Sequence, residues 1–186
     1  NFAAGGEDIF IIKYSTAGVK QWTQQMGGSS QDHVLGITSD SLGDIYISGK
    51  TNGSLDGNAN SGGDDLFVVK YNSAGVKQWT QQMGSSNYDH ATAVVADSSN
   101  SIYVFGETSG NLDGNTSLGG RDFFLVKYDS AGNKQWTQQM GSSSREDARG
   151  ITVDMTDNVY AIGSTEGSLD GNINAGGKDI ILMKLK

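Results

Sequence analysis

KQWTQQMG stands at Lys20–Gly27 and recurs letter for letter at Lys77–Gly84 and Lys134–Gly141. The spacing is 57 residues both times, so the chain is read first as a tandem repeat. With the preceding Val19 included, Lys20, Trp22, Gln24 and Met26 fall on one side of an extended segment, and Val19, Gln21, Thr23 and Gln25 on the other. A period of two is the mark of a β-strand. Other columns keep the same interval: Lys13/Lys70/Lys127, Tyr14/Tyr71/Tyr128, Gly49/Gly106/Gly163, Thr51/Thr108/Thr165 and Asp40/Asp97/Asp154. The units run 8–64, 65–121 and 122–178, with a partial copy at 179–186.

Three more strands complete each unit. DIFIIKY from Asp8 sets Phe10, Ile12 and Tyr14 against Ile9, Ile11 and Lys13, and HVLGITSD from His33 and DIYISGKT from Asp44 follow the Trp strand. Turn residues such as Ser-Thr-Ala-Gly and Ser-Leu-Gly-Asp punctuate them, and no segment carries a helical period. Four antiparallel strands at fixed spacing predict an all-β chain built as a β-propeller segment. The strand read as VLGITSD, ATAVVAD or ARGITVD carries small side chains and is placed innermost, where blades crowd together. Calling it A gives the blade order A (near Val34), B (near Ile45), C (near Leu66) and D (near Gln78). The chain then reads CD, ABCD, ABCD, ABC: about three blades and one further strand.

The runs DDLFVVKYNSAGVKQWTQQMG, AVVADSSNSIYVFGETSGNLDGN and GGRDFFLVKYDSAGN resemble the bacterial SBBP family of β-propeller repeats. The resemblance spans nearly the whole chain. It implies a secreted or cell-surface bacterial protein with no general enzymatic activity. One departure is SNSIYVFG, which replaces the usual Gly-Asn before strand B in the second unit.

Composition narrows the function classes. The chain has 186 residues, 27 of them Gly, with neither Pro nor Cys and a formal charge of −8. Acidity of this size argues against nucleic-acid backbones and anionic membranes, which call for basic patches. No apolar run reaches transmembrane length. Asn1-Phe-Ala-Ala-Gly-Gly aligns with Asn58-Ala-Asn-Ser-Gly-Gly, so the chain is expected to be a window on a longer array. Three blades cannot close a ring. The missing blades are expected either from a longer polypeptide or from a second chain, the latter giving six blades with one redundant strand C per chain.

The candidate sites follow the repeat. GSLDGNANSGGDDLF from Gly53 has near-copies from Gly110 and Gly167. Asp56, Asn58 and Asp65, with Asp113, Asn115 and Asp122 and with Asp170, Asn172 and Asp179, carry oxygens of the kind Ca²⁺ takes. Neither the EF-hand loop nor the Gly-Gly-x-Gly-x-Asp motif fits them. The competing reading is turn chemistry, with Asp-Gly and Gly-Gly supplying positive-φ turns and Asp and Asn capping the backbone. Trp22, Trp79 and Trp136 are candidates for stacking sugars, with the neighbouring Gln residues on hydroxyls, and the favoured alternative is that they pack between blades. His33 and His90 occupy equivalent positions, and the third unit has Glu146-Asp147 there, so a shared metal is disfavoured. There is no Cys, no Gly-x-Ser-x-Gly elbow and no nucleophile constellation. The expected function is a non-enzymatic extracellular scaffold presenting repeated loops to a protein or glycan partner. A calcium-stabilised or carbohydrate-binding propeller is the alternative, and an enzyme whose site lies in further blades comes third.

Overall fold

A computed structural model describes residues 5–185. The alignment of Asn1 through Ala4 with the loop at Asn58 lies outside these residues. Thirteen strands form: β1 (Ile9–Tyr14), β2 (Lys20–Met26), β3 (Asp32–Ser39), β4 (Ile45–Thr51), β5 (Asp65–Tyr71), β6 (Lys77–Met83), β7 (Asp89–Ala96), β8 (Ile102–Thr108), β9 (Asp122–Tyr128), β10 (Lys134–Met140), β11 (Glu146–Val153), β12 (Val159–Thr165) and β13 (Asp179–Lys184). They pair antiparallel as β1-β2, β3-β4-β5-β6, β7-β8-β9-β10 and β11-β12-β13. The blade phase and strand order match CD, ABCD, ABCD, ABC. Apart from strands, the described residues form one short 3-10 turn, at Leu112–Gly114.

Why the sheets stack follows from the two faces of strand C. Leu66 and Val68 on β5 pack with Phe124 and Val126 on β9, together with Tyr46, Ala91, Val94 and Val104. One register earlier, Ile9 and Ile11 on β1 pack with Phe67 and Val69 on β5. One register later, Phe123 and Leu125 on β9 meet Ile181 and Met183 on β13. Every core is thus a layer between two blades, with one face of strand C looking forward and the other back. Fully apolar strand faces on both sides are what a sheet buried on both sides requires.

Strand A is innermost, as its small residues predict. A Cβ on Gly36 of β3 would lie 3.0 Å from the Ala93 Cα of β7, so neighbouring A strands nearly touch through their backbones. A second feature has no mark in the sequence: each A strand is bulged. Leu35, Thr92 and Arg149 are extra residues opposite a continuous strand B, and the irregularity falls beside Gly49, Gly106 and Gly163. A bulge bends and twists its strand, which suits the curve at the centre of a blade.

The A-to-B hairpins are made by the Asp40/Asp97/Asp154 column. Oδ1 of Asp97 accepts from the Ser99 and Ser101 amides at 2.9 and 2.8 Å, and Oδ2 accepts from the Tyr103 hydroxyl at 3.3 Å. Asp40 and Asp154 do the same with Tyr46 and Tyr160. The SNSIYVFG departure has a simple resolution here. Asn100, at φ 59, takes the positive-φ position that Gly43 fills at φ 77 and Asp157 at φ 62. Asn and Asp tolerate that conformation better than other non-glycine residues.

Candidate functional site

The long B-to-C connections, residues 52–64, 109–121 and 166–178, leave the same end of successive blades. Each begins with a turn in which two consecutive residues have positive φ: Asp56 (50°) and Gly57 (83°), Asp113 (53°) and Gly114 (78°), Asp170 (50°) and Gly171 (78°). The Asn58 amide donates to the Leu55 carbonyl at 3.0 Å, and Asn115 and Asn172 repeat the bond on Leu112 and Leu169. This is the signature of a type I′ turn. Asn58 also directs its side-chain Nδ2 at the same carbonyl, at 2.9 Å, and Asn115 does likewise.

The carboxylates of Asp56 and Asp113 turn toward their own blades. Asp56 takes the Lys77 ammonium and the Thr80 hydroxyl of strand D. Asp113 takes Lys134. Burial works to raise the pKa of Asp56, but Lys77 and Thr80 outweigh it and hold the carboxyl below its ordinary range. Asp113 follows the same logic: Lys134 overcomes the effect of burial.

Asp65, Asp122 and Asp179 close the loops by capping backbone. Their Oδ2 atoms accept from the amides of Ser61 (2.9 Å), Leu118 (2.8 Å) and Ala175 (2.7 Å). Asp65 is fully buried, and burial pushes its pKa up despite the bonds from Gln82 and Ser61. The next strand A contributes Asp89 beside it, also raised by burial against the pull of Thr108 and Ser85.

Ca²⁺ coordination would require several oxygens converging on one point. Asp56 faces an ammonium, Asn58 directs its Nδ2 at the Leu55 carbonyl, and Asp65 gives Oδ2 to its cap while its buried Oδ1 accepts no hydrogen bond. Among the described residues no group of three or more His, Asp or Glu is placed to hold a metal. The loop geometry favours turn chemistry. Chelation with EDTA followed by added Ca²⁺ is therefore expected to leave the thermal unfolding midpoint unchanged, read by far-UV circular dichroism. A rise on adding Ca²⁺ would overturn this assignment.

Sequence reasoning missed the residue that clips the first two loops down. Gln82 on strand D accepts from the Leu55 amide (2.9 Å) and donates to the Gly53 carbonyl (2.9 Å) and Asp65 Oδ2 (3.0 Å). Gln139 repeats all three with Leu112, Gly110 and Asp122. Gln25 and its equivalents are among the Gln residues that the sugar-stacking reading places on hydroxyls. The structure shows Gln82 and Gln139 holding the loop of their own blade instead, and Gln25 bound to Asp8 at 3.1 Å. The signal was the unvarying Gln in KQWTQQMG.

The tryptophans are knobs in a seat on the next blade. The Trp22 indole donates to the Ser73 carbonyl at 3.3 Å, and a Cβ on Gly75 would fall 2.8 Å from its ring. Trp79 does the same with Ser130 and Gly132, between Tyr46 and Tyr128 at 5.9 and 6.4 Å. Packing is thus what occupies Trp22 and Trp79. Trp136 rests on Tyr103 and remains 36% exposed.

A row of polar pairs crosses the blade seams. Glu7 meets His33 at 3.2 Å, Asp64 meets His90 at 3.1 Å, and Arg121 meets Asp147 at 3.5 Å. The position preceding strand C and the second residue of the next strand A change character together, so that the third seam reverses the arrangement. His33 and His90 each serve a different seam and do not meet.

The repeat geometry just described coincides with a known one: the β-propeller repeat SBBP matches residues 21–56, 78–113 and 135–170. The chain belongs to the SBBP family. Each match runs from the Trp strand to the Leu-Asp of the B-to-C loop, which places the family repeat across a blade seam. Among curated relatives, an uncharacterized WD repeat-containing protein of Acanthamoeba polyphaga mimivirus is 26% identical over 168 residues, covering 75% of this chain and 12% of that protein. The regulatory protein FlaEY of Caulobacter vibrioides is 28% identical over 102 residues, covering 51% of this chain and 11% of that protein. The chain therefore spans about an eighth or less of the length of these relatives. It is a β-propeller repeat scaffold.

Proposed function

We propose that this SBBP segment is a non-enzymatic interaction module on the outside of a bacterial cell, whose B-to-C loops present a repeated surface to a protein partner. The observation that carries the reading is the commitment of the loops' own polar groups. Asp56 on Lys77, Asn58 on the Leu55 carbonyl, Asp65 Oδ2 under the Ser61 amide and Gln82 under the Leu55 amide hold the loop shape, which is what a rigid display platform needs. What the loops leave outward is apolar at intervals, with Leu118 and Ile173 exposed on two of them. Preformed loops cost little ordering entropy on binding. The net charge of −8 favours a partner surface that is not itself strongly acidic.

The test is a pull-down from the secreted and surface fraction of a bacterium encoding the chain, with wild-type protein and a Leu118→Asp, Ile173→Asp double variant. Capture of a partner that the variant loses supports the module. Protection of the chain from added protease on intact cells would sink the outside location. A hit on a glycan array lost in Trp136→Ala, without change in the unfolding midpoint, would replace the protein partner by a carbohydrate.

A further inference from the structure

The Gly that ends each KQWTQQMG is not demanded by backbone conformation, since none of Gly27, Gly84 and Gly141 has positive φ. What stands where their side chains would be is a pair of acids. A Cβ on Gly84 would fall 2.1 Å from Asp65 Oδ1 and 3.1 Å from Asp89 Oδ2. Gly27 has Asp8 Oδ1 at 2.1 Å and Asp32 Oδ2 at 3.0 Å, and Gly141 has Asp122 Oδ1 at 2.3 Å and Glu146 Oε2 at 2.6 Å. Each pair spans a seam, with one acid at the start of strand C and the other at the start of the next blade's strand A.

The middle pair joins two complete blades and is sealed from water, Asp65 and Asp89 both being 0% exposed. Two ionised carboxylates this close and this dry repel each other, and each loses its hydration. Their donors are unequal. Asp89 accepts at Oδ2 from the Ser85 amide (2.6 Å) and hydroxyl (3.0 Å), and at Oδ1 from the Thr108 hydroxyl. Asp65 accepts at Oδ2 from the Ser61 amide and Gln82 Nε2, while its Oδ1, lying beside Gly84 with Asp89, has no hydrogen-bond partner.

The charged groups around the pair are engaged elsewhere. On strands B and A, Lys50 and His90 go to Asp64 at 2.8 and 3.1 Å, and Asp64 adds its own negative charge next to Asp65. On strand D, Lys77 is held by Asp56, and beside Thr108 Glu107 takes Arg121.

We propose that Asp65 and Asp89 hold one proton between them, carried on Asp65 Oδ1, so that this seam is a joint that acid tightens. Folding takes the proton from solvent. The protonated Oδ1 becomes a donor toward Asp89, and Asp89, with three donors of its own, stays the anion. Burial raises the pKa of both acids, against Gln82 and Ser61 at Asp65 and against Thr108 and Ser85 at Asp89, where the Asp65 charge adds to the rise. A carboxyl raised on folding contributes stability that is full below its unfolded pKa and is lost as pH climbs through the folded one. Asp56 and Asp64, which Lys77 and Lys50 hold low against burial, run the other way, so the seam is read by difference. The inference is independent of the proposed protein partner.

Urea midpoints of wild type, Asp65→Asn and Asp89→Asn between pH 4 and 8 test it. An amide at position 65 copies the protonated acid: its oxygen keeps the Ser61 and Gln82 bonds, and its nitrogen faces Asp89. Asp65→Asn is expected to raise the folding constant about threefold to tenfold at pH 7, the worth of a hydrogen bond gained at an orphaned atom, and the gain shrinks toward pH 4. Asp89→Asn is expected to give no gain, since its nitrogen must face donors. In wild type labelled with ¹³C at the aspartate carboxyls, the Asp65 resonance is expected to titrate at higher pH than free aspartate. Asp65→Asn less stable than wild type at pH 7, a gain equal at pH 4 and 7, or one matched by Asp89→Asn would each overturn the proposal. So would an Asp65 carboxyl titrating at or below the pH of free aspartate. A midpoint raised by added Ca²⁺ in wild type but not in Asp65→Asn would overturn it by putting a cation in the proton's place.

Discussion

Gly106→Ala is expected to cost about 3 kcal/mol or more, a large fraction of the stability of a typical domain. Gly106 lies on β8 where the bulge of β7 carries the backbone inward. A Cβ there would sit 2.0 Å from the His90 carbonyl oxygen and 2.6 Å from the Phe124 ring. The first neighbour is backbone fixed in the ladder, and the second belongs to a core layer, so neither can yield without breaking the sheet or opening the layer. Close packing makes even one methyl group felt. Gly49 has the equivalent neighbours, the His33 carbonyl oxygen and the Phe67 ring, at 1.9 and 2.8 Å, whereas Gly163 has its nearest carbonyl, that of Asp147, at 2.7 Å. Urea midpoints should therefore place Gly49→Ala and Gly106→Ala below Gly163→Ala. A Gly106→Ala midpoint within experimental error of wild type would refute the close-packed account of the bulge.

Phe124→Ala is expected to lose about 3–5 kcal/mol, and Phe10→Ala under about 1 kcal/mol in the monomer, although the two residues are one column of the repeat. Phe124 is buried between β5 and β9 strands with Leu66, Val68 and Val126. Truncating it removes apolar burial and leaves a cavity in a layer held on both sides. Phe10 has no preceding blade against it, so most of its ring is already in water. Equilibrium urea unfolding at low protein concentration, where any association is suppressed, makes the comparison. Equal losses for the two variants would mean that the layers are not the source of stability.

The phase of the blades was legible because two independent signals agreed. Period-2 alternation marked four strands per unit, and the small residues of VLGITSD and ATAVVAD marked the one that belongs at the centre. The bulge was not legible, since nothing local distinguishes Thr92 as an extra residue. Only the pairing of Ala91 with Gly106 and Ala93 with Phe105 reveals it. The Leu-Asp-Gly-Asn turn could be read from Asp-Gly, but its ties could not. Lys77 lies 21 residues from Asp56 and meets it because strands C and D fold back beneath the loop. Gln82 was visible in the sequence as part of an invariant octet, and its role depended on a long-range contact that periodicity does not encode. The seam pairs were in principle readable, as Glu7/Asp64/Arg121 and His33/His90/Asp147 vary together down the columns.

The offset between repeat and blade has a mechanical consequence. A 57-residue unit supplies strands C and D to one sheet and A and B to the next, so the covalent chain crosses every seam from the outermost strand of one blade to the innermost of its neighbour. A load that pulls two neighbouring blades apart is then carried by the covalent chain as well as by the packed layer between them. Blades joined in this way are laced together as well as packed, and a lengthened array inherits the lacing with every unit it adds.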